Sequence, residues 1–312
     1  VSNSHQIKLS VVIVSYNVQH FVLEGIASLY QFLNCTKQII LVDNNSSDQT
    51  VENVKTKFPE VEIIANKTNV GFSAANNQGF EVCKGEYVLL FNPDACLIDD
   101  SIKNMLSEMD NHLGKDVFIG PKLIHTNGSF QQSCWKFPTP VQHFFELFFL
   151  NTFLDTTSYP QHYITKTRSV DFLSGAAILL QTSTLRKLKG LDVNLFWMDD
   201  VDFCKRNIEL GGVNLYFPET IIKHHIGQSS KKNQNIVISN QIISKLKFYK
   251  KHKQYFYFVT SVPIFILQIL SRIPLFFILG LIKKNYLAKS KAYVYTLSRL
   301  LKYLFLKSQA VI

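Results

Sequence analysis

Four apolar runs of five to seven residues punctuate the first ninety positions: LSVVIVS (9–15), QIILVD (38–43), VEIIA (61–65) and EYVLLF (86–91). Runs this short, with little polar alternation, predict strands buried on both faces. The intervals carry a different period. Phe21, Ile26, Leu29 and Leu33 recur at helical spacing over 20–33. NNSSD supplies turn and cap residues before a helix over 48–57, and NKTNVG leads into a third helix ending near Lys84, with Gly85 as its stop. Strands alternating with helices predict βαβ units, hence an α/β fold around a mostly parallel sheet.

Beyond residue 100 the alternation loosens. The pattern predicts a helix over 99–111, with Asp99 and Asp100 placed to cap it, then short strands and a Pro-rich bend, CWKFPTP. An aromatic patch, HFFELFFL (143–150), follows, and 169–181 reads as a strand pair or as strand, turn and helix. Residues 199–212 have the form of an amphipathic helix with acids in its first turn and a Gly stop. VNLYF and TIIKHH read as two short strands.

Charge divides the chain. Residues 1–230 hold 18 Lys+Arg against 23 Asp+Glu, whereas 231–312 hold 15 Lys+Arg and no acid. An α/β domain over 1–235 and a basic, hydrophobic helical region over 236–312 are therefore expected. The stretch from Tyr255 to Asn285 is long enough to cross a bilayer, but Pro263, Arg272 and Pro274 interrupt it, and 286–306 continue as a basic amphipathic pattern. Phe, Leu and Ile interleaved with Lys suit an anionic membrane surface better than nucleic acid. A peripheral, monotopic or re-entrant hairpin is expected over a clean span, and a buried helix of a homodimer is the third reading. The five cysteines are scattered, without CxxC spacing, and fit a reduced, cytosolic chain. The N-terminal stretch has no long apolar run of signal-peptide type.

All four strands end in polar residues: Ser15-Tyr16-Asn17, Asp43-Asn44-Asn45, the loop from Asn66 to Gly71, and Asn92-Pro93-Asp94. In an open parallel sheet ligands bind beyond these carboxyl ends, so a cleft for a polar ligand is expected. Asp43 would also suit the ribose of a nicotinamide dinucleotide, but the turn after the first strand is SYNVQHF, without the glycines that cradle its phosphates. Asp94 follows a proline that ends the strand, and it reads either as a turn acid or as a ligand for Mg²⁺ or Mn²⁺ bridging a diphosphate. In MDDVD (198–202), Asp199, Asp200 and Asp202 crowd a helix start behind Trp197, an arrangement suited to a general base facing a sugar hydroxyl. His224-His225 offers imidazole to complete a metal shell.

Assembled in order, VVIVSYN (11–17), ILVDNNSSDQT (40–50), NVGFSAANNQG (69–79), LLFNPDACL (89–97), FLSGAAILL (172–180), WMDDVDFCKR (197–206) and IIKHHIGQSS (221–230) resemble the family 2 inverting glycosyltransferases, in particular their bacterial rhamnosyltransferase-like branch. The resemblance covers about residues 8–230. It implies a GT-A fold and transfer of a sugar from a nucleotide-sugar donor, of the dTDP-rhamnose or UDP-hexose type, to a hydroxyl of a glycan or lipid-linked acceptor in cell-surface polysaccharide synthesis. It implies Ser15, Tyr16 and Asp43 at the base and ribose, Asn69, Gly71 and Asn76 along the nucleotide side, and Asn17, Asn45, Asn92 and Asp199 among the other residues that bind the nucleotide sugar. Asp94 and His224 would hold the metal, and Asp200 would be the catalytic base. The basic tail would then keep the enzyme at the cytoplasmic face of the bacterial inner membrane. The competing readings are a nucleotidyltransferase, which needs a Gly/Arg-rich loop after the first strand, and a non-catalytic nucleotide-sugar-binding membrane protein, which has no use for three clustered acids.

Overall fold

The seven side chains of strand β1 (Leu9–Ser15) are all buried, and they sort by parity into two cores. Leu9, Val11 and Ile13 join one apolar cluster, whereas Val12 and Val14 join another on the opposite face of the sheet. The same division repeats in β4 (Tyr87–Phe91), where Leu89 and Phe91 face one side and Val88 and Leu90 the other. Continuous apolar runs are what a sheet covered on both faces requires.

The computed structural model describes residues 7–154, 156–160, 163–225 and 234–305. After β1 come α1 (Gln19–Phe32), β2 (Lys37–Asp43), α2 (Thr50–Lys57), β3 (Glu62–Ala65) and α3 (Phe72–Glu81), then β4, β5 (Ala95–Leu97) and α4 (Ile102–Asp110). The second half adds β6 (Val117–Ile124), β7 (Phe130–Gln131), β8 (Cys134–Trp135), α5 (Pro140–Leu147), β9 (Arg168–Ser169), β10 (Phe172–Leu173) and β11 (Ala177–Gln181). There follow α6 (Thr182–Leu188), α7 (Asp199–Glu209), β12 (Val213–His224), α8 (Gln234–Lys251), α9 (Tyr255–Ile282) and α10 (Asn285–Phe305).

The principal sheet runs β3-β2-β1-β4-β11-β6-β12-β5, with β7 and β9 attached to β6 and β12. β1 is parallel to both β2 and β4, so the chain reverses its direction of travel across the sheet between them. That reversal opens the crevice at the carboxyl ends of β1 and β4. Strands β11 and β5 run antiparallel to their neighbours. Gly79 lets α3 sit down on the sheet: a Cβ there would lie 2.4 Å from Val12 Cγ1.

Several elements differ from the sequence reading. The third helix stops at Glu81. Gly85 is no helix stop but a close approach to β1, where a Cβ would meet Ser10 N at 2.5 Å. Ser101, not an aspartate, precedes α4; Asp99 instead accepts a hydrogen bond from Ser101 N at 2.8 Å, one turn early. The aromatic patch folds as α5, started by Thr139, whose hydroxyl accepts from Gln142 N, and by Pro140 at its first turn. The two short strands before His225 are one, β12, whose register shifts between Phe217 and Ile221 around Pro218. Pro263 and Pro274 lie inside a continuous 28-residue helix.

The chain forms two compact units: Val1–Phe137, Ser158–Val193 and Asp199–Ser229 make the first, and Pro138–Thr157, Asn194–Met198 and Ser230–Ile312 the second. The first contains the sheet. In the second, α9 is long and apolar enough to cross a membrane, with a mean hydropathy of 2.2 over its best window and only 22% of that window buried. It packs on α10, where Ser290 Oγ donates to Ile273 O at 2.9 Å and Gly280 abuts Leu287.

Candidate active site

The carboxyl end of β1 is tied to that of β2 by side chains. Ser15 Oγ donates to Asp43 Oδ1 at 2.8 Å, and Ser46 donates to the same carboxylate from its N (2.9 Å) and its Oγ (2.6 Å). Asn17 and Asn45 both take left-handed backbone conformations, φ 55° and 67°, which asparagine tolerates. Asn17 Oδ1 accepts from Ser47 N at 2.7 Å, so the two loops are locked together. Tyr16 stands exposed beside them. The third loop joins through Asn44, which accepts from Val70 N at 3.1 Å and donates to Gly71 O at 3.2 Å. Asn69 Oδ1 accepts from Gly71 N, and Gly71, at φ 89°, turns the chain into α3. Asn76 is buried on that helix and its Oδ1 has no partner among the described residues.

The fourth strand end brings in the second constellation. Asp94 is buried, and its Oδ1 lies 3.2 Å from His224 Nε2 at the end of β12. The two meet because β5 pairs with β12 antiparallel, Ala95 opposite His224. Asn92 Nδ2 approaches the same Nε2 at 3.4 Å, and Asn92 Oδ1 is buried with no partner among the described residues. Gln131 Nε2 lies 2.9 Å from His224 Nδ1. Gln131 Oε1 has no partner among the described residues, and turning that amide over would place Oε1 against Nδ1–H. Nε2 would then offer its lone pair beside the Asp94 carboxylate. One carboxylate and one imidazole, with an unmatched amide oxygen alongside, fit a divalent cation that completes its shell from diphosphate and water. His225 turns elsewhere, with Nε2 3.6 Å from Glu24 and its ring packed on Phe21. Residues Ile226–Ser230 of the last sequence block lie outside the described residues.

The third constellation is the first turn of α7. Asp200 is half-buried, with Gly175 N donating to Oδ2 at 3.1 Å and Val201 N donating to Oδ1 at 2.8 Å. Asp199 is buried and accepts from Ser73 Oγ at 3.0 Å. Burial raises the pKa of both, and the charge of Asp200 raises Asp199 further. The backbone N–H groups on Asp200 oppose its rise. Two buried carboxylates this close resist carrying charge together, and the charge of Asp200 acts directly on Asp199. The third acid, Asp202, is structural: fully buried, it takes the guanidinium of Arg206 at 2.7 Å.

One loop joins the last two constellations. Gly175 N binds Asp200, and the next residue, Ala176, accepts from Asn92 N at 2.9 Å through its carbonyl. The polar ends of the strands, the Asp94–His224 pair and the Asp199–Asp200 pair thus belong to one hydrogen-bonded framework in the sheet unit.

Glycosyl transferase family 2 matches residues 10–170. The chain belongs to that family. It is a glycosyltransferase with the GT-A fold. An N-acetylglucosaminyl-diphospho-decaprenol L-rhamnosyltransferase of Mycobacterium tuberculosis is 25% identical over 242 residues, 72% of this chain and 78% of that protein. Among solved structures, S. aureus TarS 1–349 in complex with UDP-GlcNAc superposes with TM-score 0.58 at 16% identity, over 95% of this chain and 81% of that one. A mannosyltransferase of Pyrobaculum calidifontis, in complex with GDP-Man and Mn²⁺, gives 0.56 at 13%, over 98% and 89%. The expected fold class and enzyme class therefore hold.

Several residues of the framework were not singled out from the sequence, among them Ser46, Ser47, Ser73, Gly175 and Gln131. Ser73 and Gly175 lie within blocks that carried the family resemblance, so their neighbourhood was marked though their contacts were not. Gln131 had no signal at all, because its partner lies 93 residues away.

Proposed function

We propose that the chain is an inverting, divalent-metal-dependent transferase that moves a sugar from a nucleotide-sugar donor to a hydroxyl of a lipid-linked saccharide at the cytoplasmic face of a bacterial membrane. The observation that carries this reading is the Gly175-Ala176 bridge, which ties the Asp200 carboxylate to the Asn92-Pro93-Asp94 turn. The rhamnosyltransferase name of the mycobacterial relative favours a dTDP-linked 6-deoxyhexose and a diphospho-polyprenol acceptor; the UDP-GlcNAc bound to TarS keeps a UDP-hexose as the second donor.

Ser15, Tyr16, Asn17, Asp43 and Asn45 hold the base and ribose, with Asp43 fixed by Ser15 and Ser46 before any ligand arrives. Asn69, Gly71, Asn76 and Asn92 line the rest of the donor, and protonated Asp199 donates a hydrogen bond toward the sugar. Asp94 and His224 hold Mg²⁺ or Mn²⁺, which supplies charge neutralisation for the departing diphosphate. Asp200 accepts the proton of the acceptor hydroxyl while that oxygen forms its bond to the anomeric carbon. The bond from that carbon to the diphosphate oxygen breaks, and its electron pair leaves on the nucleoside diphosphate. Attack from the opposite face inverts the configuration.

The test is transfer and slow hydrolysis of nucleotide sugars with Mn²⁺ present. Asp200→Asn keeps the shape and removes the base, so the transfer rate falls by about 10²–10⁴. An unchanged rate removes Asp200 from the mechanism.

A further inference from the structure

The helical unit contains a cavity of about 550 Å³ whose wall includes Glu146, Trp197, Lys245, Gln268, Arg272 and Tyr293. Arg272 is the one charged residue in the whole of α9. A cation in a long apolar helix is costly in a bilayer and is kept where it meets a partner or a polar ligand. Here its Nη2 donates to the backbone carbonyl of Glu146 at 2.7 Å and its Nη1 to Tyr293 Oη at 3.2 Å, while the guanidinium lies 4.3 Å over the Phe149 ring. No carboxylate pairs with it among the described residues, and its Nε is buried without a partner among them. One turn earlier, Gln268 is 7% exposed and its Oε1 also lacks a partner among the described residues. Among the described residues the only carboxylate on the wall, Glu146, is already held by Lys245 Nζ at 3.4 Å. The cavity thus has an uncompensated positive charge, a vacant acceptor, and aromatic walls from Trp197 and Phe149. On its outer side α9 presents exposed Leu267, Leu270, Phe277 and Ile278, the surface a hydrocarbon chain would follow.

We propose that this cavity binds the diphosphate and first sugar of a lipid-linked saccharide. Arg272 and Lys245 meet the phosphate oxygens, and Gln268 accepts from a sugar hydroxyl. The assignment rests on the acceptor class proposed above, and it places that acceptor's headgroup on residues outside the sheet unit. Arginine suits the task because its planar fork remains charged in apolar surroundings and can share its donors between the fold and a phosphate.

The experiment uses the full chain in phosphatidylcholine nanodiscs, without nucleotide sugar, and titrates N-acetylglucosaminyl-diphospho-polyprenol against phosphatidylglycerol at matched total anionic charge. Binding is read from tryptophan fluorescence and confirmed by native mass spectrometry. The wild type should bind the diphospho-lipid at least tenfold more tightly than phosphatidylglycerol, and Arg272→Gln should weaken it about tenfold or more. Because that variant also removes two internal hydrogen bonds, Gln268→Leu is the second probe. It deletes an unmatched buried acceptor, so its thermal midpoint should hold or rise while its affinity for the saccharide lipid falls. Equal binding of the two lipids, which would indicate a general anionic-lipid surface, overturns the proposal. So does unaltered affinity in either variant. Failure of the catalytic reading shows separately, as absent nucleotide-sugar turnover in a wild type that still binds the lipid.

Discussion

Arg206 offers a measure of how firmly the first turns of α7 are built. Its guanidinium spans two elements: Nε bonds Asp202 at 2.7 Å on α7, and Nη1 and Nη2 donate to the carbonyls of Leu188 at 2.6 Å and Gly190 at 2.8 Å, where α6 ends. Asp202 is 0% exposed and Arg206 only 17%. Replacing Arg206 with Met keeps much of the side-chain volume but deprives a buried carboxylate of its cation and two carbonyls of their donors. Breaking a buried pair from one side costs about 3–5 kcal/mol. In a domain of this size each kcal/mol moves the thermal midpoint by about 2–4 °C, so a fall of about 6–20 °C is expected. Urea titration and thermal unfolding of the full chain would measure it. Asp202→Leu combined with Arg206→Met should recover much of the loss, since the pair is then replaced by apolar contact. A single-variant loss under about 1 kcal/mol would refute the reasoning, because it would mean that water or another cation reaches Asp202.

The acidic pair predicts an asymmetry. Asp199→Asn imitates the protonated carboxyl, so the rate should stay within about tenfold of wild type, in contrast to the loss expected for Asp200→Asn. Equal losses would refute the assignment of the proton. The raised pKa of Asp199 also means that its contribution to stability is complete below its unfolded pKa of about 3.9 and is lost as pH rises through the folded value. Asp199→Asn should therefore raise the thermal midpoint most at alkaline pH. The helical unit predicts the opposite dependence. Burial, with Lys245 nearby, lowers His143 to about 4, and its neutral form stabilises the fold fully above its unfolded value near 6.5. That stability, about 3 kcal/mol, is lost as pH falls through about 4. Burial works to raise Glu146, but His143 and Lys245 hold it at about 2, so its share persists above an unfolded value near 4.3 and disappears toward pH 2. His143→Phe should flatten the thermal midpoint between pH 6.5 and 4, and an unaltered slope would exclude His143 as its source.

Much of this molecule was legible in advance, and the legible parts share a cause. Strands β1, β2 and β4 are buried on both faces, so they appear as uninterrupted apolar runs; the helices between them bury one stripe and appear as a 3.6-residue period. Asp43, Asp94 and Asp200 stood out because each is a carboxylate at an element's end, where burial is costly unless it has work to do. Local rules failed where distant contacts overrode them. β12 continues past Pro218 because β6 pairs with it on both sides of the register shift. α9 continues through Pro263 and Pro274, with α5, α8 and α10 packed against it.

By itself, the sequence determined the alternation of strands and helices, the polar strand ends and the abrupt change of charge after residue 230, because these are properties of residue type and spacing along one chain. Only the tertiary structure decided that Asp202 pairs with Arg206 while Asp199 and Asp200 share the loop side of the site, that His224 rather than His225 meets Asp94, and that residues 138–157 and 194–198 join the helical unit. Desolvation, antiparallel register and packing arise between residues far apart in the chain, and local pattern holds no record of them.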